Sequence, residues 1–259
     1  MRVWRVLVFL ILSVALVTTL TAAFPPGFDS PAALNTHIER SWSRKDARPA
    51  LLALARQGIQ AWPDDAELLC RTGYLECLTG SGDHGLDKVW RAWQMDKKGA
   101  SIRYWTWDVL QERAHKTKPN TASIPLFLKA LEVRPEYAKD GYQYAAIHAW
   151  QLEPVNLPLA ADLMRRHIAT GGDSAKSQRE LGQILLEQKR FVEADKALAT
   201  SLAHDSNNPW THFYHARLVW QWKTDIMTWA RRLETAISNR DQDFTKQVEV
   251  QSRIWLVDE

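Results

Sequence analysis

Cysteine is almost missing from this 259-residue chain: Cys70 and Cys77 are its two examples. Seven residues along a helix rise about 10.5 Å, and a disulfide needs Cα atoms within roughly 7 Å. On a helix the pair is therefore two free thiols stacked on one face. Glycine and proline, 11 each, are too few for a fibrous or low-complexity chain. No charge sign dominates, with 33 basic against 30 acidic residues; setting Arg2 and Arg5 aside leaves 31 against 30. A near-neutral body lacks the concentrated positive charge that phosphate binding requires, which excludes nucleic acid as the expected partner. Apolar alternation at period two, the mark of strands, is nearly absent.

Reactive constellations are missing too. The Gly80–Gly85 stretch has no lysine for a phosphate loop and no strand before it. No His-Glu-x-x-His, Cys-x-x-Cys or Gly-x-Ser-x-Gly pattern occurs. His212 and His215 share a helix face at a spacing of three, but no cysteine or carboxylate stands with them. They read as core or hydrogen-bonded histidines, and Asp83 and His84 as solvated loop residues. The expectation is a chain that is not an enzyme and has no cofactor and no bound metal.

One long apolar run is present. Arg2 and Arg5 precede Val6–Leu20, and Thr21, Ala22 and Ala23 follow with small residues suited to cleavage. Residues 1–23 thus read as a signal peptide. The stretch 6–24 is also nearly long enough to anchor in the inner membrane, and arginines on its N-terminal side would leave the body outside the cytoplasm. Either way residues 28–259 are exported and periplasmic, with membrane contact only through the N-terminal segment. Phe24, Pro25, Pro26 and Gly27 open a linker over 24–31.

The remainder has apolar residues at spacings of three and four, enough for twelve paired helices and a thirteenth at the end. Ser30 caps the first, with Pro31 in its first turn. Pro63 stops the second, and Asp65 opens the third. Gly80–Gly85 is expected as a loop. Ser101 is expected to cap a helix from Ile102, Pro135 to close another, Gly171-Gly172 to end a third and Ser174 to cap the next. The leading helices begin near 32, 66, 102, 137, 175 and 209, a period of about 34–38 residues that marks a helical solenoid. One hairpin cannot bury its apolar face alone, so neighbours stack into a continuous core. Residues 32–240 form this repeat domain and residues 241–259 a C-terminal capping helix.

Residues 175–209 resemble a tetratricopeptide repeat (TPR). Gln178, Leu181-Gly182 and Leu185 stand at the first-helix spacings, Ala194 and Leu198 at the second, and Pro209 closes the unit. Elsewhere the match is looser. Ile38, Trp42, Leu51 and Pro63 fit the first unit, although Glu39 stands where a small residue belongs. Gly73 fits the second, Ala130 and Pro135 the third, Ala145 the fourth and Ala216 the sixth. The resemblance implies an all-α array of about six TPR-like hairpins, with a concave groove lined by the first helix of each. It also implies a protein-interaction scaffold, in exported bacterial members often serving envelope assembly, pili or polysaccharide export.

Tryptophan, with 13 examples, is the informative residue. Trp90 and Trp93 share a face and read as core. Trp105 and Trp107 differ by two, about 200° around a helix, as do Trp220 and Trp222, so one of each pair faces the groove or a neighbouring helix. Trp210, Phe213, Arg217 and Trp220 form one stripe. Trp105, Asp108 and Glu112 form an acidic one, and Tyr142, Arg179 and Gln183 fall at similar positions. These ten residues are the expected partner-binding groove. Either a protein partner in an envelope complex or a polysaccharide stacking on indoles would use it, unless the terminal helix covers the Trp210 stripe.

Overall fold

The computed structural model describes residues 25–238 apart from 26, 81, 118–121, 153, 224 and 225. The expected N-terminal export segment and the expected capping helix lie outside the described residues. Among these, secondary structure is helical throughout: α1 (Pro31–Ser41), α2 (Arg48–Ala61), α3 (Ala66–Thr79), α4 (Gly82–Met95), α5 (Ala100–Lys116), α6 (Ser123–Val133), α7 (Ala138–Trp150), α8 (Leu157–His167), α9 (Ala175–Glu187), α10 (Phe191–His204), α11 (Pro209–Lys223) and α12 (Ile226–Ser238), with short 3-10 turns before α2 and α7. No described helix is long and apolar enough to cross a membrane.

Local chemistry sets the boundaries. The Ser30 hydroxyl accepts from the Ala33 amide, Asp65 from Leu68 and Ser174 from Ser177, each satisfying an orphan donor of the first turn. Gly80 ends α3 at φ +106°, a left-handed value that glycine adopts without strain. The helix starts at 31, 66, 100, 138, 175 and 209 follow the expected period.

Two local expectations change. Ser101 does not cap α5, which already begins at Ala100; its hydroxyl instead donates to Glu67 at 3.1 Å. Gly82–Gly85 is not loop. It is the first turn of α4, and Gly85 is buried against α3. Glycine here serves close approach, not chain reversal.

The described residues divide into two compact units, one ending at Glu112 and one beginning at Arg113. In the first, Leu34 and Ile38 of α1, Leu51, Leu52 and Ala55 of α2, and Leu68 and Leu75 of α3 form a buried cluster. Helix α3 is enclosed on every side: each residue from Leu68 to Glu76 is buried, including Arg71 and Glu76. In the second, Phe127, Ala145, Ala149, Met164, Leu181, Leu185, Leu198 and Phe213 belong to one core.

Candidate functional site

Burial of charge decides where the first unit can bind anything. Glu76 on α3 is held by Arg56 of α2 at 3.0 Å and by Lys88 of α4 at 2.6 Å, which joins three helices. Arg71 is equally buried. Its Nη2 reaches Glu67 at 2.8 Å and Glu39 of α1 at 3.1 Å. Glu39, where the repeat prefers a small residue, is largely exposed and pairs with Arg71.

Beside Arg71 lies a small aromatic cleft with room for about one water molecule, lined by Ile38, Trp42, Arg71, Tyr74, Leu75 and Trp105. Its rings come from the leading helices of three successive hairpins. Trp42 stands edge-on to Tyr74 at 5.7 Å and to Trp105 at 5.1 Å, and Tyr74 and Trp105 lie 4.5 Å apart. Tyr104, exposed at 46%, extends the wall edge-on to Trp105 at 5.0 Å. At the Tyr74 end the phenol donates to Asp108 Oδ2 at 3.2 Å.

Asp108 is held above the ordinary carboxylate value, first by burial and then by the like charge of Glu112, with the Tyr74 hydroxyl opposing. Burial and the Asp108 carboxylate push the Tyr74 phenol well up. The native chain therefore binds the Asp108 proton more tightly than the unfolded chain does. The contribution is destabilising, and it grows as pH rises through the unfolded value of ~3.9 to the raised folded one. Asp108→Asn is expected to be at least as stable as the native protein at pH 7, the difference vanishing below about pH 3.9. Urea unfolding at the two pH values measures it, and a variant weaker at pH 7 would contradict the assignment.

Trp105 and Asp108 are thus brought together, with Glu112 one turn on. The other expected residues all lie in the second unit. Phe213 is 2% exposed and belongs to the core, so the Trp210–Trp220 stripe is interrupted. Its ring belongs to the same core as Leu181 and Leu185 of α9 and Ala194 and Leu198 of α10. Trp210 is half-buried and lies beside Phe213 and Tyr214. Arg217 is half-buried and Trp220 exposed. Trp222, also exposed, stacks on Phe191. Tyr142 lies under Arg166 at 6.0 Å. Arg179 is half-buried, and Gln183 donates to Glu187 at 3.4 Å.

Sequence reading missed Tyr74, Tyr104 and Arg71, and used Trp42 only as a repeat marker. The signal was available. Tyr74 and Asp108 are 34 residues apart, Ser101 and Glu67 34, and Arg71 and Glu39 32. Side chains one period apart meet across stacked leading helices.

Among the described residues, nucleophiles offer no rival site. The Cys70 thiol is pushed up to about 12 by burial. Ser123 contacts His148 at 2.9 Å but is fully buried. His148 and His115 are both held below the ordinary histidine value by burial, His148 also by the charge of His115. His212 bonds the Ser206 carbonyl at 2.8 Å, and His215 meets Asp195 at 3.1 Å, the structural roles expected of them.

The hairpin at 175–209 has the packing its residues imply. A Cβ on Gly182 would lie 2.7 Å from Leu198 Cγ, and Ala194 is fully buried beside it. The hairpins are TPR-like. No protein-family model matches the chain, and neither does any curated relative. Among solved structures it is similar to the C-terminal part of a TPR repeat-containing protein from Cytophaga hutchinsonii, at 16% identity and a TM-score of 0.49, over 79% of this chain and 78% of that one. It is also similar to YrrB, described as a TPR protein with an unusual peptide-binding site, at 16% identity and a TM-score of 0.48, over 75% and 97%. Likenesses at this level concern helical architecture and carry nothing about function.

Proposed function

We propose that the chain is a non-catalytic, TPR-like scaffold that holds a segment of a partner protein against α1, α3 and α5. One observation carries this reading. Trp42 at the C-cap of α1, Tyr74 of α3 and Trp105 of α5 meet in one aromatic cluster of the first unit, with Tyr104 exposed beside them. Rigid aromatics in a partly desolvated pocket are what binding hot spots are made of. The N-terminal run supports an exported body, periplasmic or anchored, working in a cell-envelope complex.

A crosslinker placed beside Tyr104 in the full chain, in its native cell, should capture one recurrent protein. Tyr104→Ala should weaken that association about tenfold or more, the range of an aromatic hot spot, while circular dichroism stays unchanged. A captured set indifferent to Tyr104→Ala would sink the proposal. The alternative, a glycan-handling module, is favoured by the exposure of Trp220 and Trp222. It predicts that no stoichiometric protein is captured and that added polysaccharide shifts tryptophan emission.

A further inference from the structure

We infer that His115, Phe127, Tyr144 and His148 form a clasp at the start of the second unit, one that holds while both imidazoles are neutral and opens in mild acid.

Three helices build the clasp. His115 lies in the last turn of α5, Phe127 in α6, and Tyr144 and His148 one turn apart in α7. The Phe127 ring is fully buried, and both imidazoles stand edge-on to it, each at 5.0 Å. Tyr144 stands edge-on to His115 at 4.5 Å and stacks with Phe127 at 5.9 Å. His148 Nδ1 also meets the Ser123 hydroxyl at 2.9 Å. Next to His115, Ala114 is fully buried in the core of this unit. The turn of α5 that belongs to the second unit is thus seated among rings that pack as neutral aromatics.

A charge on these rings has no counter-ion. Ser123 and Phe127 on α6 and Tyr144 on α7 are neutral, and among the described residues no carboxylate pairs with either imidazole. On α5 the charged neighbours of His115 are Arg113 and Lys116, which carry its own sign. Glu112, one turn back, acts on Asp108 and Tyr74. The charged residues in the second half of α6, Lys129 and Glu132, are exposed, and Asp140 of α7 stands two turns from His148. Burial holds both histidines below their ordinary value, and the charge of His115 lowers His148 further. His148 is half-buried and His115 more exposed, so His148 carries the larger part of the effect. The native chain binds these protons more weakly than the unfolded chain does. The packing is at full strength above the unfolded value of ~6.5 and is lost as pH falls through it to the lowered folded values. An exported body, as proposed above, meets the pH of its surroundings, the range in which histidine acts as a switch.

The test follows urea unfolding of the full chain at pH values from about 7 to about 5, spanning the histidine range, in the native sequence and in the double variant His115→Phe/His148→Asn. Phenylalanine keeps a ring, and asparagine keeps a polar atom for Ser123, yet neither takes a proton. The native chain should lose more stability over this range than the variant, since the remaining histidines contribute to both alike. Equal losses would overturn the inference and leave the rings as plain packing. A second measurement needs no substitution and stands even where the variant does not fold. Imidazole proton resonances of His115 and His148 in the native chain should titrate below ~6.5, and the Ala114 amide should lose exchange protection in step with them. Midpoints at or above that value, or an Ala114 amide still protected with both rings charged, would overturn it.

Discussion

Removing both cations that hold Glu76, in the double variant Arg56→Ala/Lys88→Ala, should destabilise the first unit by about 3–5 kcal/mol. The asymmetry of burial sets this size. The Glu76 side chain is 3% exposed, against 54% for Arg56 and 32% for Lys88. Without partners the cations turn outward to water, but the carboxylate stays inside and uncompensated. Replacing the acid instead, by Glu76→Leu, leaves two chains that can be hydrated, and should cost far less. The triple variant combining all three changes should recover most of the loss, because a buried ion cluster exchanged for apolar volume is often neutral. Lys88 alone should matter more than Arg56 alone, since the more exposed partner is better screened. Urea unfolding of the five variants and the native chain reads the whole pattern. A double variant within about 1 kcal/mol of native, the usual worth of a surface pair, would show that Glu76 reaches water.

The helices were legible because their signals are local. Ser30, Asp65 and Ser174 cap where their side chains can meet an amide three residues on, and the 34-residue period needs only pattern counting. The candidate site was legible in one helix and opaque across helices. Trp105 and Asp108 stood out at a spacing of three on α5. Tyr74 did not, because its role arises from stacking α3 against α5, one period away. Within the Trp210 stripe, the burial of Phe213 was hidden for the opposite reason. Helical spacing places Phe213 on a face without saying that α9 and α10 close over it. Arg71 and Glu76 were unreadable as buried charges, since a polar residue shows no sign of its counter-ion until three helices meet. Glycine misled most directly. Six residues with three glycines looked like loop, and the structure makes the last of them a packing surface.

Gly85→Ala should therefore destabilise the protein by about 1–3 kcal/mol, although alanine is the better helix former by roughly 1 kcal/mol. A Cβ at Gly85 would lie 2.5 Å from the Gly73 carbonyl oxygen, 2.5 Å from Cys77 Sγ and 2.9 Å from the Cys77 amide nitrogen. A Cβ at Gly73 would lie 2.6 Å from the Gly85 carbonyl and 2.8 Å from Lys88 Cβ. These neighbours are mainly backbone, and backbone cannot rotate out of the way. Helices α3 and α4 must separate. Gly182→Ala is the control, since its near contact is the Leu198 side chain, which can shift; its loss should be the smaller of the two. Separation of α3 from α4 also pulls Lys88 from Glu76, so Gly85→Ala and Lys88→Ala should combine for less than the sum of their separate losses. Thermal unfolding of both single variants and the pair measures it. An unchanged or raised Tm for Gly85→Ala would mean that the close approach of α3 and α4 yields without cost, and that the glycine is there for the turn after all.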